Sequence, residues 1–197
     1  MAKRAMDRRV ERTRRALQHA LVSLILERGY DAITVEDICT KADISRSTFY
    51  AHYTSKDDLK RKGIEHHLRR LLHHQQQPRG EPRAHNLAFS LPMLQHAREH
   101  RALYRALVGG RGGAVALETI RGILSDLVRA QLTTHPGSAG DSAMPREFIV
   151  RYVVGAYMAV LTWWLDGGAK LPPERIDAMF RRLANEGLDQ FDAQRAA

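Results

Sequence analysis

The chain has 197 residues, a formal net charge of +9 and a single cysteine. Its length fits one medium-sized domain or a small module joined to a larger one, and a composition of 44% hydrophobic and 27% charged residues excludes wholesale disorder. One cysteine excludes an internal disulfide framework and a cysteine-based zinc site, and it fits a reducing compartment. The first residues lack the apolar stretch of a signal peptide, so we expect a cytoplasmic protein.

The first helix is predicted to run over about residues 9–28, overlapping a basic segment. Leucine or isoleucine recurs at positions 17, 21, 24 and 25, which gives a helix one apolar stripe. Gly29 provides the positive φ that ends the helix. Seven of the first fifteen residues are Lys or Arg, and a basic arm of this kind is either a solvated tail or a contact for a polyanion.

Three more helices are predicted from residue 34 onward. Thr34, with Asp37 three residues later, resembles a capping box for a helix that ends near Ala42. Ser45 is the N-cap candidate of the next short segment, and Ser55 caps a fourth helix that could run to about Gln77. The two short helices cannot bury themselves, so we expect them to share an apolar centre with the first helix, as in a helix-turn-helix module. The residues predicted for this centre are Leu17, Leu21, Ile25, Ile33, Ile38, Phe49 and Tyr53.

Helical periodicity continues through the rest of the chain. After a break at residues 78–82, periodic stretches cover about residues 86–97, 100–108, 114–134, 146–166 and 173–191. Loops rich in glycine, at residues 109–113 and 135–140, separate some of them. No alternation of strand length occurs, so the sequence predicts an all-α fold with domains at residues 1–62 and 63–197.

The segment from Thr34 to Lys56 carries the chemistry of a helix that reads DNA. Such a helix needs small or hydrogen-bonding side chains near its N-terminus, where backbone N–H groups also attract phosphate. Arg46 can pair with guanine O6 and N7 or with a phosphate, and Tyr50 and His52 lie one turn later, within reach of the backbone. We therefore expect DNA contacts from Thr34, Ser45, Arg46, Ser47, Thr48, Tyr50, His52 and Lys56.

This segment resembles the DNA-binding signature of TetR-family transcriptional regulators. The resemblance rests on residues 29–35 and 44–59 and covers about residues 10–62, where order, spacing and caps agree. It implies an all-α homodimer whose first three helices bind a pseudo-palindromic double-stranded DNA operator. It also implies a larger C-terminal helical domain that often binds a small effector and thereby weakens DNA binding. Two positions depart from the pattern: Asp43 stands where glycine is usual, and Ala51 is smaller than the usual residue.

A second apolar surface is predicted near the C-terminus. Residues 152–165 contain no charge, and a helix that is hydrophobic all round needs cover on both flanks. The stretch is too short to span a bilayer, which takes about 20 residues, and it resembles one helix of the pair that forms the dimer in many family members. The alternative is a core helix covered wholly by its own chain. The predicted dimer-interface residues are Val153, Val160, Trp164, Ile176, Phe180 and Leu183.

Aromatic and methionine side chains in the same region are candidates for an effector pocket. The competing interpretation, equally weighted, is that they form ordinary core. The candidates are Phe89, Tyr157, Met158, Trp163 and Trp164.

His96, Glu99 and His100 fit the H-x-x-E-H pattern of inverted zinc peptidases. Two imidazoles four residues apart on an unbroken helix can share a metal ion. A match of five residues is common by chance, however, and Arg98 to Arg101 resembles a turn between helices. The sequence therefore predicts no metal site, no cofactor and no enzymatic activity.

The favoured prediction is a homodimeric DNA-binding regulator that represses a nearby promoter and is released by a small-molecule effector. One alternative is a DNA-binding regulator without a small ligand, acting as an activator or controlled by a protein partner. The other is a zinc hydrolase that uses His96, Glu99 and His100. No membrane partner is expected.

Overall fold

A computed structural model describes residues 2–73, 87–108, 113–133 and 145–193, and these ranges contain nine α-helices and no strand. The predicted all-α fold is therefore confirmed. The predicted C-terminal end of the fourth helix near Gln77 and the loops at residues 78–82 and 135–140 lie outside the described residues. The helices are α1 (Ala2–Arg28), α2 (Val35–Ala42), α3 (Arg46–His52), α4 (Lys56–His73), α5 (Ser90–Glu99), α6 (Arg101–Val108), α7 (Gly113–Thr133), α8 (Arg146–Asp166) and α9 (Pro173–Ala193).

The described residues fall into two compact units, neither of which is continuous in sequence. The first unit takes residues from the ranges 1–67 and 101–120, and the second from 68–100 and 121–197. Helix α6 belongs to the first unit, where Leu103, Ala106 and Leu107 pack against the core formed by the N-terminal helices. The domain boundary at residues 62 and 63 stays a prediction. The sequence did not indicate that α6 packs on the first unit, because an apolar stripe does not show which core a helix covers.

The core of the first unit lies where the periodicity predicts it. All seven side chains predicted for the apolar centre are buried, and Leu17, Ile38 and Phe49 have no exposed surface. Each fully buried side chain of this size contributes about 1.5–3 kcal/mol. Helices as short as α2 and α3 are marginal in isolation, so this packing is what holds them.

Two turns of the first unit use left-handed backbone. Gly29, with φ at +76°, ends α1 and donates its N–H to the Ile25 carbonyl at 2.9 Å. Asp43 ends α2 with φ at 53° and ψ at 48°, and its N–H bonds to the carbonyl of Thr40. Aspartate enters this conformation more easily than most residues, so the turn before α3 forms without glycine.

The second unit contains α8 at its centre, with α5 and α9 packed beside it. The Tyr157 ring of α8 makes edge contacts with Phe89 at 5.1 Å and Phe180 at 5.2 Å between centroids. Its hydroxyl donates to the Ser90 carbonyl at 3.1 Å, and the Ser90 hydroxyl donates to the Asp177 carboxylate. These hydrogen bonds give the buried polar groups partners and join the three helices.

Among the described helices, α8 alone has the length and apolar composition of a membrane span. Its mean hydropathy over the best window is 1.5, and 44% of that window is buried inside the chain. The residues on its inner face, from Val150 to Leu165, form the centre of the second unit. The apolar composition therefore has a structural explanation in the fold.

Candidate nucleic-acid interface

The first turn of α3 is fixed by the hydroxyl of Ser45. Its Oγ accepts the Thr48 N–H at 3.2 Å and lies 2.9 Å from Thr48 Oγ1 and 3.0 Å from Ser47 Oγ. Ser45 is therefore the N-cap, as predicted. Because the hydroxyls of Ser45 and Thr48 bond to each other, we assign these two residues first to holding the helix start.

The outward face of α3 carries Arg46, Ser47, Tyr50 and Ala51, all of which are exposed. On the opposite face Phe49 is fully buried, and its ring makes an edge contact with Tyr50 at 5.3 Å. The core contact fixes the direction of the outward face. The face offers a guanidinium, a hydroxyl, a phenol and a methyl group, the kinds of group that contact base edges, thymine methyls and phosphates.

His52 lies half-buried at the end of α3, near Arg14 of α1. Burial, and secondarily the positive charge of Arg14, lower the pKa of His52 below its usual 6.5. The shift favours the neutral imidazole, which is a hydrogen-bonding group, over the cation. The sequence placed Arg14 in the basic arm without predicting that it would lie near the end of α3.

The basic arm is helical. Helix α1 begins at Ala2, and Arg8, Arg12 and Arg15 follow one another at helical spacing along it, with Arg15 bonded to Glu11 at 3.0 Å. A helix holds its cations at fixed spacing, so this segment presents a defined basic surface.

Thr34 is the N-cap of α2 and forms the predicted capping box. Its hydroxyl accepts the Asp37 N–H at 3.2 Å and donates to the Asp37 carboxylate at 2.6 Å, while the Thr34 N–H donates to the same carboxylate at 2.7 Å. The bonds from Thr34, together with Arg28 at 2.7 Å, lower the pKa of Asp37 to about 2. The charged carboxylate thus locks the start of α2.

Lys56 binds the loop between α1 and α2. Its Nζ donates to the carbonyls of Ile33 at 2.7 Å and Tyr30 at 3.3 Å and lies 4.6 Å from the centre of the Tyr30 ring. The sequence predicted a phosphate contact here. Two of the three ammonium protons are donated to the loop carbonyls, so the third could be donated to a phosphate.

Lys60 is a charged residue that the sequence did not mark as special, yet its side chain is buried. Its Nζ lies 3.5 Å from the centre of the Tyr30 ring and 3.7 Å from an Asp57 carboxylate oxygen. The Tyr30 hydroxyl donates to that same oxygen. Burial lowers the pKa of Lys60, and the charge of Asp57 opposes the shift. This cluster fixes the start of α4 against the loop that Lys56 also holds.

The predicted effector-pocket residues divide between core and surface. Phe89, Tyr157, Met158 and Trp164 are buried, whereas Trp163 is 62% exposed. Phe89 and Tyr157 pack directly against each other, and the Trp164 indole N–H donates to the Leu171 carbonyl at 3.0 Å. The space between Phe89 and Tyr157 is thus filled by their own rings.

Four of the six residues predicted for a dimer interface lie inside their own chain. Val153, Trp164, Ile176 and Phe180 are buried, while Val160 is partly exposed and Leu183 is 71% exposed. The interface itself stays a prediction, and these four side chains, with 1–4% of their surface exposed, have little area to offer a partner. The charge-free stretch of α8, residues 152–165, gave no polar marker to separate the inner face of the helix from its outer face.

An exposed stripe runs along α8 and α9 instead. Its residues recur at spacings of three and four, so they share one side of each helix. A Cβ on Gly187 would lie 3.8 Å from the Tyr152 hydroxyl, which places the two halves side by side. We call this surface the α8–α9 stripe; it consists of Phe148, Tyr152, Gly155, Ala159, Trp163, Met179, Leu183 and Gly187.

His96, Glu99 and His100 come together at the C-terminal end of α5. One ligand atom from each lies within 4.8 Å of the others, and the two imidazole centroids are 4.5 Å apart. Helix α5 ends at Glu99, and His100 is its C-cap. The helix therefore remains unbroken long enough to bring the three side chains to one place.

Two family models match the chain. The model described as "Bacterial regulatory proteins, tetR family" matches residues 18–61, and the model described as "Transcriptional regulator C-terminal region" matches residues 86–186, just over half of the chain. The first match contains α2 and α3 with their caps. The second contains α5 to α8 and most of α9.

Known proteins resemble the chain over most of its length. An uncharacterized HTH-type transcriptional regulator of Bacillus subtilis, YxbF, is 27% identical over 194 residues, which are 96% of this chain and 47% of YxbF, so the chain spans about half of that relative. The crystal structure of a TetR transcriptional regulator from Streptococcus agalactiae superposes with a TM-score of 0.65 at 24% identity, covering 92% of this chain and 98% of that one. The dihydroxyacetone kinase operon activator DhaS superposes with a TM-score of 0.59 at 19% identity, covering 92% and 97%. Both superpositions are likenesses of fold.

Proposed function

The chain belongs to the TetR family of helix-turn-helix transcriptional regulators, and on this premise we propose that it is a homodimeric repressor of a nearby promoter, released by a small-molecule effector. Membership makes it a DNA-binding transcriptional regulator. The sign of regulation, the homodimer, the effector, a cytoplasmic location and the lack of enzymatic activity are the proposal.

The observation that carries the DNA-binding mode is the outward face of α3. Arg46 and Ser47 occupy its first turn, and Tyr50 lies on the second. In the proposed complex, Arg46 and Ser47 contact base edges, while Tyr50, His52 and the third proton of Lys56 contact the backbone. The basic surface of α1 adds phosphate contacts beyond the groove, so affinity falls steeply as salt rises.

The α8–α9 stripe supports the homodimer. Large side chains such as Phe148, Trp163 and Leu183 remain exposed in the single chain, while Gly155 and Ala159 leave room for a partner backbone to approach closely. A contiguous exposed apolar surface is characteristic of an interface. A twofold dimer would present two copies of α3 to successive major grooves of a pseudo-palindromic operator.

Repression needs no surface beyond these two, because a dimer seated on a promoter blocks polymerase by occupancy. Release requires a ligand that prefers a dimer whose two α3 helices have the wrong spacing for the operator. The packed rings of Phe89 and Tyr157 mean that such a ligand would enter by displacing side chains or would bind elsewhere in the second unit.

A second candidate is a DNA-binding activator, or a regulator without a small ligand. The fold likeness to DhaS, itself described as an operon activator, favours this alternative. A zinc hydrolase is the least favoured alternative.

Selection of bound fragments from random double-stranded DNA tests the DNA-binding mode. We expect a palindromic consensus with half-sites about one helical turn apart; an asymmetric single site would contradict the dimeric mode. Transcription in vitro from a promoter carrying that consensus then separates the signs, since a repressor lowers the transcript and an activator raises it. Thermal-shift screening with a metabolite panel tests the effector, because a ligand that binds the folded state raises Tm.

A further inference from the structure

We propose that His96, Glu99 and His100 form a binding site for a divalent transition-metal ion of the Zn²⁺ class at the C-terminal end of α5. The site is independent of the DNA contacts. The sequence alone predicted no metal site here, because a match of five residues is common by chance.

The geometry supplies three donors of the right kind. Zn²⁺ takes imidazole nitrogens at about 2.0–2.1 Å and carboxylate oxygens at about 2.0–2.2 Å, so two ligands of one tetrahedral ion lie roughly 3.3 Å apart. The three donor atoms already fall within 4.8 Å of one another, and small side-chain rotations close the difference. His96 and His100 stand one turn apart, and Glu99 is adjacent to His100, so the three side chains converge from a single helix end.

The local backbone also favours a cation. The last carbonyls of a helix lack intrahelical donors and give that end a partial negative charge, which attracts positive ions. Helix α5 is long enough to have this property, with ten residues from Ser90 to Glu99. The His100 N–H donates to the His96 carbonyl at 3.0 Å, so the last turn is formed before any ion arrives.

The rest of α5 is held rigidly, which lowers the entropic cost of assembling the site. Met93, Leu94 and Ala97 are fully buried on its inner face. On its outer face, Gln95 Nε2 donates to Glu174 of α9 at 2.9 Å. The cluster therefore lies on a fixed element and not on a loose loop.

The proposed role is binding without hydrolysis. Glu99 lies in the same group of donor atoms as the two imidazoles, which makes it a ligand and not a base acting on a metal-bound water. Three protein ligands leave the remaining coordination positions to water or to a small molecule. An ion bound here would fix the last turn of α5, which ends at Glu99 with His100 as its C-cap.

The experiment uses the full chain without a polyhistidine tag. Zn²⁺ is titrated against a chromophoric chelator, and the metal content is measured by mass spectrometry after dialysis. We expect one Zn²⁺ per chain and a rise in Tm on addition of metal. The variants His96→Ala and His100→Ala should each lower the affinity by about tenfold or more. His19→Ala and His66→Ala, which change exposed histidines outside the cluster, should leave it unchanged.

The absorption spectrum of bound Co²⁺ gives a measurement that would stay unchanged in Glu99→Gln if Glu99 had a purely structural role. In the wild-type chain, the visible absorption of bound Co²⁺ reports its coordination, and Glu99→Gln should change that spectrum while the fold, followed by circular dichroism, stays the same. The proposal is overturned if the chain binds less than one equivalent, or if His96→Ala and His100→Ala bind as tightly as the wild type. It is also overturned if His66→Ala removes the binding.

Discussion

The outward surfaces of the two units differ in kind. On α3 the exposed face is mostly polar, with Arg46 and Ser47 on a helix start that hydrogen bonds fix and with Tyr50 and Ala51 on the next turn. On α8 and α9 the exposed stripe is apolar and contains two glycines and an alanine. A polar face suits the edges of bases and phosphates, whereas an apolar face with small residues suits another protein surface.

The α3 face and the α8–α9 stripe also differ in how they are stabilised. The α3 face lies on a seven-residue helix that is held by the buried Phe49 and by individual capping bonds, each of which contributes about 1 kcal/mol. The α8–α9 stripe lies on helices held by a buried aromatic core, with Tyr157 between Phe89 and Phe180. Changes on the stripe should therefore alter assembly without unfolding the chain, while changes at the caps should alter both stability and DNA reading.

The largest expected effect comes from charging the stripe. In the double variant Ala159→Glu/Leu183→Glu, a twofold interface would bring four carboxylates together in an apolar contact, which costs several kcal/mol. We expect a monomer by sedimentation velocity. Operator affinity should fall by about 10²–10⁴-fold, because the two α3 helices no longer bind as one unit.

Leu26→Glu is the matched control for that variant. Leu26 is an exposed leucine on α1, 53% exposed and outside the stripe, so its change to glutamate tests whether charge on any apolar surface has the same effect. It should leave the dimer intact. A double variant that stays dimeric would contradict the assignment of the stripe as the interface.

The next effect in size is the loss of base reading by Arg46. Arg46→Ala should cost about 1–3 kcal/mol per half-site and relax the base preference at one position. The measurement is fluorescence anisotropy with operator variants at each position. Unchanged preference with weaker binding would mean that Arg46 contacts a phosphate.

Lys56→Ala should act differently. We expect binding to all sequences to weaken alike, with a smaller dependence of affinity on salt. Tm should also fall, because the carbonyls of Ile33 and Tyr30 lose their donor. Lys170→Ala, at an exposed lysine before α9, is the control and should change neither quantity. A binding curve of the wild type that does not depend on salt would overturn these assignments.

Much of the first unit follows from local signals in the sequence. Gly29, the Thr34 capping box and the Ser45 N-cap each act within four residues, and the apolar spacing places Leu17 and Phe49 in the core. The burial of Lys60 was not predicted, because a lysine in a helix is normally exposed to solvent. Its place is set by Tyr30, thirty positions earlier, and by the Asp57 carboxylate.

The second unit was harder to predict, because residues 152–165 of α8 contain no charged side chain that would indicate the outer face. Val153 and Tyr152 are neighbours in this uncharged stretch, yet the first is buried and the second is exposed. Only the positions of α5 and α9 decide which side of α8 is covered. For the same reason, several of the residues that the sequence predicted for a dimer interface lie in the core of the chain.

A smaller effect is expected at the N-cap of α3. Ser45→Ala should lower stability by about 1 kcal/mol, a shift in Tm of roughly 2–4 °C for a chain of this length, because the Thr48 N–H loses its acceptor. Ser45→Asp keeps an acceptor and should restore Tm while weakening DNA binding by repulsion of phosphate. Ser47→Ala should spare Tm. An equal fall in Tm in the Ser45→Ala and Ser47→Ala variants would contradict the assignment of Ser45 as the N-cap of α3.

The smallest effect concerns the protonation of His52. Its pKa in the folded chain is lowered by burial and by Arg14, so the folded state favours the neutral imidazole. The stability that this contributes is present above the usual pKa of about 6.5 and is lost as pH falls through the lower folded value. His52→Gln should therefore lose less stability than the wild type when the pH falls from 7 to 5, as measured by denaturant unfolding.

Protonation of His52 should have the opposite effect on DNA binding: it lowers stability but should raise operator affinity. Below its pKa the His52 imidazolium adds a positive charge to the face that we propose contacts the phosphates, so operator affinity should rise at acidic pH in the wild type and rise less in His52→Gln. Arg14→Gln removes the repelling charge, and an NMR titration should then show the His52 pKa closer to 6.5. If that pKa stayed where it is in the wild type, burial alone would account for the shift, and Arg14 would lie too far from α3 to share its phosphate contacts.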